Sequence, residues 1–422
     1  MGGFESFIVD NEQADVSRLL FSCKAWPVND DPSLSGLDPK ELAVGTIESR
    51  RKLRTKVPEW YSMTSLVYPR ALSAEQCSSS SAARYKAALA ERIIGGKGRI
   101  ADLTGGMGVD SWAFSGKASA VLYNEMDPAL VLAARHNFKE LGIENVTVSA
   151  REVTVTSIGP LLDSFSPDLV FMDPARRSSE GKKVFLLEDS SPNVLEILPA
   201  IFMSCRHLLL KLSPMADISM VVERLDAASG WNSQWVREIH VISIGGECKE
   251  LLLWMDREWR GDYEVICTED SSSMSFTKEE IRLSKAVFPD SAYARKIFEP
   301  GKSLSKVGAF NVLCGRFSLV KMARSTNLFI LPHDGEAPDA LKPFGKIFTV
   351  EELLPFNKAS VKDLGKRYPR CEVSARNIPL SSDELRAKLK VSSGGDVHIF
   401  GVRMELPFES GNYLLVCRRD IQ

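Results

Sequence analysis

Glycines and one carboxylate follow two consecutive predicted strands, at the points where the strands end. The first group lies in the segment Ala101–Asp110, which reads ADLTGGMGVD and contains Gly105, Gly106 and Gly108. Glycine tolerates positive φ and lets a ligand approach the backbone closely. N–H groups at the start of the following helix can bind a carboxylate. Glu125 follows the next strand, where an acid can accept hydrogen bonds from ribose hydroxyls. This order predicts a nucleoside ligand above the carboxyl edge of a parallel sheet.

Two other nucleotide-binding motifs fit the sequence less well. A nicotinamide dinucleotide fold requires Gly-x-Gly-x-x-Gly, whereas the spacing here is Gly-Gly-x-Gly. A nucleoside triphosphate loop around Gly301, Lys302 and Ser303 lacks its first glycine, because Lys296 stands at that position. The remaining structural alternative is a glycine turn that only packs a helix against a strand.

A second candidate site follows the fourth predicted strand, Asp168–Met172. The strand leads directly into Asp173 and Pro174, with Arg176 and Arg177 close behind. Asp173 is therefore expected at the same edge of the sheet as the glycines. Pro174 stiffens the loop, and either arginine is a candidate for contact with phosphate or substrate. The alternative is that both arginines pair with carboxylates at the surface.

Further motifs complete the pattern. Besides Asp102–Gly108 and Asp173–Arg177, the sequence contains two more motifs, Leu187–Asn193 and Lys211–Met215. Together these segments resemble a bacterial family of class I S-adenosylmethionine-dependent methyltransferases with a ferredoxin-like insert and a THUMP-like C-terminal domain. Ala375–Leu380 and Gly394–Phe400 look like parts of the THUMP-like domain. Residues 290–320 look like the ferredoxin-like insert.

The resemblance implies a fold, a cofactor and a partner. The expected fold class is α/β: a Rossmann-like class I methyltransferase sheet with an N-terminal helical domain and small α+β C-terminal domains. The expected domains are N-terminal helical 1–81, methyltransferase 82–258, ferredoxin-like 259–340 and THUMP-like 341–422. S-adenosylmethionine is the expected methyl donor. RNA, either ribosomal or transfer RNA, is the expected acceptor, because THUMP domains bind RNA.

The same resemblance and the motif positions assign site residues. The expected cofactor-binding residues are Asp102, Thr104, Gly105, Gly106, Met107, Gly108, Glu125, Met126, Glu152 and Asp173. The expected catalytic residues are Asp173, Pro174, Arg176, Lys211 and Glu250. One position departs from the family pattern: Arg151 stands where many class I enzymes have an adenine-holding acid, so the neighbouring Glu152 takes that role in the prediction.

The methylated atom stays open between two versions. Enzymes that methylate base amines carry Asp or Asn before Pro-Pro and an aromatic that stacks the flipped base, and only the first part of that motif is present here. Ribose 2′-O-methyltransferases use an Asp, a Lys and a Glu, for which this chain offers Asp173, Lys211 and Glu250. Carbon-5 methylation needs a Cys nucleophile, and Cys205 precedes the fifth strand and is expected in the core.

Short apolar segments alternate with helical ones between residues 82 and 256, which predicts a mainly parallel sheet covered on both faces. The predicted helices include one that begins at Asp38-Pro39 and one over Pro128–Leu141. The predicted strands are Arg99–Asp102, Ala118–Tyr123, Val146–Ser149, Asp168–Met172, Leu208–Leu212, and a closing antiparallel pair over Val236–Ser243 and Glu250–Met255.

Composition restricts the class of protein. The 422 residues, 44% hydrophobic and 26% charged, are typical of a soluble chain with several domains. The 8 Cys are scattered, which argues against a zinc site and a disulfide scaffold and favours a cytoplasmic protein with reduced thiols. No apolar run spans a membrane. A monomer is the favoured state.

Charge is unevenly distributed along the chain. The formal net charge is −2, but residues 341–422 hold 14 basic and 10 acidic residues. A mildly basic C-terminal module is compatible with nucleic acid without requiring it. A methyltransferase of small molecules or proteins, and a non-catalytic RNA-binding protein with a vestigial cofactor fold, therefore remain alternatives.

Overall fold

Apolar segments form parallel strands, and helices lie between most of them, in the computed structural model of the chain. The structure describes residues 3–176, 187–228, 234–332 and 336–420, with the side chain of Arg176 excepted. The described chain divides into two units. The N-terminal unit comprises Met1–Arg237 and Leu252–Gly261, and the C-terminal unit comprises Glu238–Leu251 and Asp262–Gln422. The predicted division into four domains stays a prediction.

The first part of the chain contains the helices and strands of the predicted α/β region. The helices are α1 Gly3–Asp10, α2 Val16–Ser22, α3 Pro39–Lys56, α4 Pro58–Tyr61, α5 Ala71–Gln76, α6 Ser80–Ile94, α7 Val109–Ser115, α8 Pro128–Glu140, α9 Val155–Phe165, α10 Val194–Ser204 and α11 Ile218–Ala228. The strands are β1 Arg99–Asp102, β2 Ala120–Asn124, β3 Val146–Ser149, β4 Leu169–Met172, β5 Ala175–Arg176, β6 Ser190–Ser191, β7 His207–Leu212, β8 Val236–Ile244 and β9 Glu247–Asp256.

The sheet of the N-terminal unit has the order β7-β4-β1-β2-β3, and all four of these neighbouring pairs are parallel. Parallel strands place their carboxyl ends at one edge, which brings the segments after β1, β2, β4 and β7 together. This confirms the predicted α/β class with a mainly parallel sheet. The strand positions agree with the prediction to within a few residues.

Polar caps fix where several helices begin. Asp38 caps α3, and Pro39 occupies its first turn, as the sequence predicts. Ser79 caps α6, which ends at Gly95 with a φ of +69°. Asp127 caps α8, so the chain turns directly from the end of β2 into this helix.

The N-terminal helices pack against the glycine loop, which is the segment Leu103–Gly108 between β1 and α7. Leu53, Trp60 and Tyr68 share one buried apolar cluster with Met107 and Val109, which lie in the loop and at the start of α7. The N-terminal helices therefore support the loop from within the same unit.

The remainder of the chain forms further strands and helices. The strands are β10 Glu264–Glu269, β11 Ser272–Thr277, β12 Lys296–Pro300, β13 Val320–Ala323, β14 Thr326–Ile330, β15 Gly345–Pro355, β16 Glu372–Arg376, β17 Val397–Glu405 and β18 Ser410–Arg419. The helices are α12 Lys278–Leu283, α13 Lys302–Val307, α14 Phe310–Phe317, α15 Lys358–Arg367 and α16 Ser382–Leu389.

The prediction that the pair of strands β8 and β9 closes the sheet is wrong. In the C-terminal unit β10 pairs in parallel with β8, and β11 pairs antiparallel with β10, so two further strands continue the sheet past β8. The sequence of β10, EVICTE, alternates only weakly and resembles neither a typical edge strand nor a buried one. Its pairing is therefore set by the fold and not by a local pattern.

A separate sheet forms the rest of the C-terminal unit, in the order β13-β14-β12-β15-β18-β17-β16. Leu415 and Cys417 of β18 join one apolar cluster, whereas Leu414 and Val416 join another. Successive residues of a strand point to opposite faces, so this sheet buries apolar side chains on both. The structure thus includes the separate C-terminal α+β region that was expected.

Candidate active site

The glycine loop connects β1 to α7 and is attached to the end of β2. The N–H of Gly105 donates a hydrogen bond to the carbonyl of Asn124 at 2.8 Å. A Cβ at Gly105 would lie 2.3 Å from the ring of Tyr123, so no larger residue fits there without movement. The hydroxyl of Tyr123 donates to the carbonyl of Gly106 at 2.6 Å. Gly106 and Gly108 have φ values of +53° and +91°, in the region that favours glycine.

Glu125 contacts the glycine loop directly. Its Oε2 accepts a hydrogen bond from the N–H of Gly106 at 2.8 Å. Its Oε1 accepts from the N–H groups of Met126 and Asp127 at 2.8 and 2.9 Å. The side chain of Met126 is exposed beside it. The two groups that the sequence placed on consecutive strands therefore meet at one point of the sheet edge.

Asp102 is a buried carboxylate that contacts the glycine loop and helix α7. It is buried at the end of β1, where its carboxylate accepts hydrogen bonds from the hydroxyl of Ser111 at 2.7 Å and the N–H of Thr104 at 3.1 Å. Burial raises the pKa of Asp102 to about 7, although the hydrogen bond from Ser111 opposes the shift. Asp102 therefore positions the loop from beneath it and is not exposed to solvent.

The glycine loop and the segment after β4 are joined by one hydrogen bond. The N–H of Asp173 donates to the hydroxyl of Thr104 at 2.6 Å. Next to it, the N–H of Leu103 donates to the carbonyl of Phe171 at 3.1 Å. The two candidate sites of the sequence are thus parts of one site.

Lys211 and Asp173 contact each other at this edge. β4 and β7 pair in parallel with Met172 opposite Leu210. Asp173 follows Met172 directly after the end of β4, and Lys211 follows Leu210 within β7. The ammonium of Lys211 donates a hydrogen bond to Oδ2 of Asp173. Lys211 is nearly buried, with 12% of its side chain exposed, whereas Asp173 is 35% exposed. The carboxylate of Asp173 is therefore more accessible than the ammonium that contacts it.

The structure places several predicted residues without assigning them a role. Pro174 is buried after β4, and the backbone of Arg176 pairs with Ser190 of β6. The side chain of Arg176 and all of Arg177 lie outside the described residues. Glu250 is buried on β9, in the part that belongs to the C-terminal unit. The roles of these residues stay predictions.

Asn124, which the sequence analysis did not single out, holds the segment after β3. Its Nδ2 donates to the carbonyl of Arg151 at 2.9 Å, and its Oδ1 accepts from the N–H of the same residue at 3.2 Å. Glu152 follows and is exposed. The adenine-contacting role of Glu152 stays a prediction, but the segment that carries it is fixed at the same sheet edge. The position of Asn124 just before Glu125 was the available signal.

A buried ion pair supports the helix that follows the glycine loop. The Nζ of Lys86 on α6 lies 2.9 Å from Oδ1 of Asp110, and neither residue is exposed to any large extent. Lys86 donates to the hydroxyl of Ser78 at 2.6 Å, and Ser78 donates to Asp110 at 2.8 Å. Sequence reasoning missed this triad because nothing local distinguishes a buried lysine on a helix from an exposed one.

The comparisons with known proteins match this architecture. Residues 345–419 match the family model described as THUMP domain-like. The chain shares 29% sequence identity with a "putative methyltransferase" from Porphyromonas gingivalis W83 whose crystal structure is known. The two structures match over 99% of this chain and 98% of that chain, with a TM-score of 0.80. None of the curated proteins compared with the chain matches it.

Two other solved structures resemble only part of the chain. The 16S rRNA N2 methyltransferase RsmC of Thermus thermophilus is 16% identical over 43% of this chain and 44% of that chain, with a TM-score of 0.31. Trm5b of Pyrococcus abyssi is 14% identical over 41% of this chain and 48% of that chain, with a TM-score of 0.27. Likeness at this level carries no argument about function. The chain has a class I methyltransferase fold and a THUMP-like C-terminal domain, as the resemblance implied.

Metal-binding and membrane-spanning features bear on the predicted partners. Within the described ranges, no group of three or more His, Cys, Asp or Glu side chains is arranged to hold a metal ion. In the same ranges, no helix has both the length and the apolar character needed to cross a membrane.

Proposed function

We propose that the protein is an S-adenosylmethionine-dependent methyltransferase that acts on RNA. The observation that carries the proposal is the convergence of Glu125, the glycine loop and the Asp173–Lys211 pair at one edge of a parallel sheet. This arrangement supports a nucleoside cofactor beside a charged pair that faces a substrate.

The residues of the edge fit a nucleoside methyl donor. A Cβ at Gly106 would meet nothing closer than the carbonyl oxygen of Thr104 at 3.9 Å, so the loop leaves space above it. Glu125 is only half buried, and its Oε2, which accepts one backbone hydrogen bond, has acceptor capacity for a ribose hydroxyl. Met126 and Glu152 would flank the base, and the loop backbone would approach the amino-acid end. When bound, S-adenosylmethionine supplies an electrophilic methyl group.

The chain's own contribution to the reaction is orientation and proton transfer. Lys211 donates to one oxygen of Asp173, which leaves the other oxygen able to accept a hydrogen bond from a substrate hydroxyl or amine. A hydroxyl held in this way loses its proton more readily as it attacks. The Asp173–Lys211 contact is the feature expected of the ribose 2′-O version, so it favours that version over base methylation.

RNA is the proposed acceptor because of the C-terminal domain. THUMP domains bind RNA, and residues 345–419 match that family description. The segment from 341 onwards carries more basic than acidic residues, which favours contact with phosphates. A methyltransferase of small molecules or proteins is the competing possibility.

The test is methyl transfer to RNA from a strain that lacks the gene. The purified protein, labelled S-adenosylmethionine and this RNA are incubated, and digested nucleosides are analysed by mass spectrometry. We expect a labelled nucleoside absent from wild-type RNA treated in the same way, because that RNA is already methylated. Label found in protein or small molecules but not in RNA would contradict the proposal.

A variant separates the two target atoms. Lys211→Ala removes the lysine that contacts Asp173, and Lys117→Ala, on the exposed surface of the same unit, is the matched control. The ribose version predicts a 2′-O-methylated product and a loss of about 100-fold or more with Lys211→Ala, the scale of general acid–base assistance. Undiminished transfer by Lys211→Ala would eliminate the ribose version.

A further inference from the structure

A cavity of about 510 Å³ lies within the C-terminal unit. Its walls come from the end of α12 and the segment after it, the junction of α13 and α14, and β13 with the turn that follows. Its volume is within the range of about 300–1,000 Å³ typical of small-molecule sites. The lining contains Lys285, Lys321 and Arg324 and, among the residues that the structure describes, no acidic one.

Lys321 is the unusual member of this lining. It is 6% exposed, and its ammonium donates one hydrogen bond, to the carbonyl of Arg324 at 2.8 Å. The ammonium also lies 5.4 Å from the ring centre of Phe310. No carboxylate in the described part of the chain forms an ion pair with it.

A buried ammonium without a counter-charge destabilises the fold. Burial lowers the pKa of Lys321, because desolvation disfavours the charged form. Buried charges in proteins are normally paired, and an anion in the cavity would supply the missing partner. Two of the three N–H groups of the ammonium have donor capacity for it.

The other polar groups of the cavity also suit an anion. The side chains of Lys285 and Arg324 are exposed and form no ion pair with a described carboxylate, although the backbone N–H of Arg324 donates to Oε2 of Glu405 at 3.1 Å. Helix α14 begins at Phe310 with no side chain capping its first turn. Asn311 lines the cavity beside these groups. Cations on several elements therefore face one space.

The remaining lining is aromatic. Phe288 and Phe310 contribute rings beside the cations, and aromatic rings are the surfaces on which nucleobases stack. A ligand with both a phosphate and a base matches both parts of the lining.

We infer that this cavity binds a nucleoside phosphate, with the phosphate held by Lys321, Arg324 and Lys285 and the base against Phe288 or Phe310. The nucleotide is either free or part of an RNA strand. The inference does not depend on methyl transfer, because every residue that it uses lies in the C-terminal unit.

Calorimetry on the full chain tests the inference with uridine 5′-monophosphate and uridine as probes. The expected result is that the monophosphate binds at least about tenfold more tightly than uridine, as a charge-assisted contact provides. Arg324→Gln should weaken the monophosphate by about tenfold and leave uridine unchanged. Lys366→Gln removes one exposed charge on α15, away from the lining, and should change neither.

A second variant and a competition experiment complete the test. Lys321→Met should abolish the preference for the monophosphate, with an unchanged circular dichroism spectrum as evidence that the variant is folded. Displacement of the monophosphate by an oligouridylate identifies RNA as the source, and lack of displacement identifies a free nucleotide. Equal affinity for uridine and its monophosphate, or an Arg324→Gln variant that behaves like Lys366→Gln, would overturn the inference.

Discussion

Gly105→Ala tests the closest approach in the candidate site. A Cβ at this position would lie 2.3, 2.4 and 2.8 Å from three carbons of the Tyr123 ring. Contacts this short force movement of the ring or of the loop. The ring is fully buried, packs edge-on against Phe138 at 5.5 Å, and donates its hydroxyl to the carbonyl of Gly106.

The magnitude follows from these contacts. Overpacking of a core costs about 1–3 kcal/mol, and loss of the Tyr123 hydrogen bond adds about 1 kcal/mol. We therefore expect Gly105→Ala to lower the free energy of unfolding by about 2–4 kcal/mol. Because the same loop is the proposed cofactor site, the affinity for S-adenosylhomocysteine should also fall.

The assay is urea unfolding followed by circular dichroism, with calorimetry for ligand affinity. The matched control is Gly315→Ala in α14, where a Cβ would meet nothing within 4 Å. That substitution should raise stability by about 0.5–1 kcal/mol, because alanine is favoured over glycine within a helix. If Gly105→Ala unfolds at the wild-type urea concentration, the packing argument for the loop is refuted.

Two further predictions concern buried charges. Lys86→Met should destabilise the fold by about 3–5 kcal/mol, because it leaves Asp110 without its buried partner. The control Lys117→Met breaks an exposed ion pair and should cost less than about 1 kcal/mol. Equal effects of the two variants in urea unfolding would contradict this prediction. Burial raises the pKa of Asp102 from its ordinary value of 3.8 to about 7. Between these pH values the folded state retains a proton that the unfolded state loses, so the contribution of Asp102 to stability should decline as the pH rises from about 4 to 7. Asp102→Asn should flatten that decline, and an unchanged pH profile of the unfolding free energy would show that Asp102 is ionised in the fold.

The sequence predicted the parts of the fold that local patterns encode. β1 and β3 have the predicted bounds, and Asp38-Pro39 begins a helix where the capping pattern indicates one. The continuation of the sheet through β10 and β11 was not predicted. Its pairing joins segments distant in the chain, and periodicity within a segment does not specify the partner of a strand.

The candidate site was predicted in its members but not in its contacts. Glu125 and Gly106 were placed on neighbouring strand ends, and their hydrogen bond follows from that order. The contact of Lys211 with Asp173 depends on the register of β4 against β7, which the sequence does not show. The Lys86–Asp110 pair was missed because it joins two helices, and nothing in the sequence of either helix marks its charged residue as buried.

The most direct test of the central claim is the binding of S-adenosylhomocysteine to the purified chain, measured by titration calorimetry. We predict a Kd of about micromolar order for the wild type. Glu125→Gln should weaken binding by at least about tenfold, because the ribose hydroxyls lose a charged acceptor. The control Glu140→Gln, on the exposed end of α8, should bind like the wild type. Absence of binding by the wild type at millimolar ligand would contradict the claim that the glycine loop and Glu125 form a methyl-donor site.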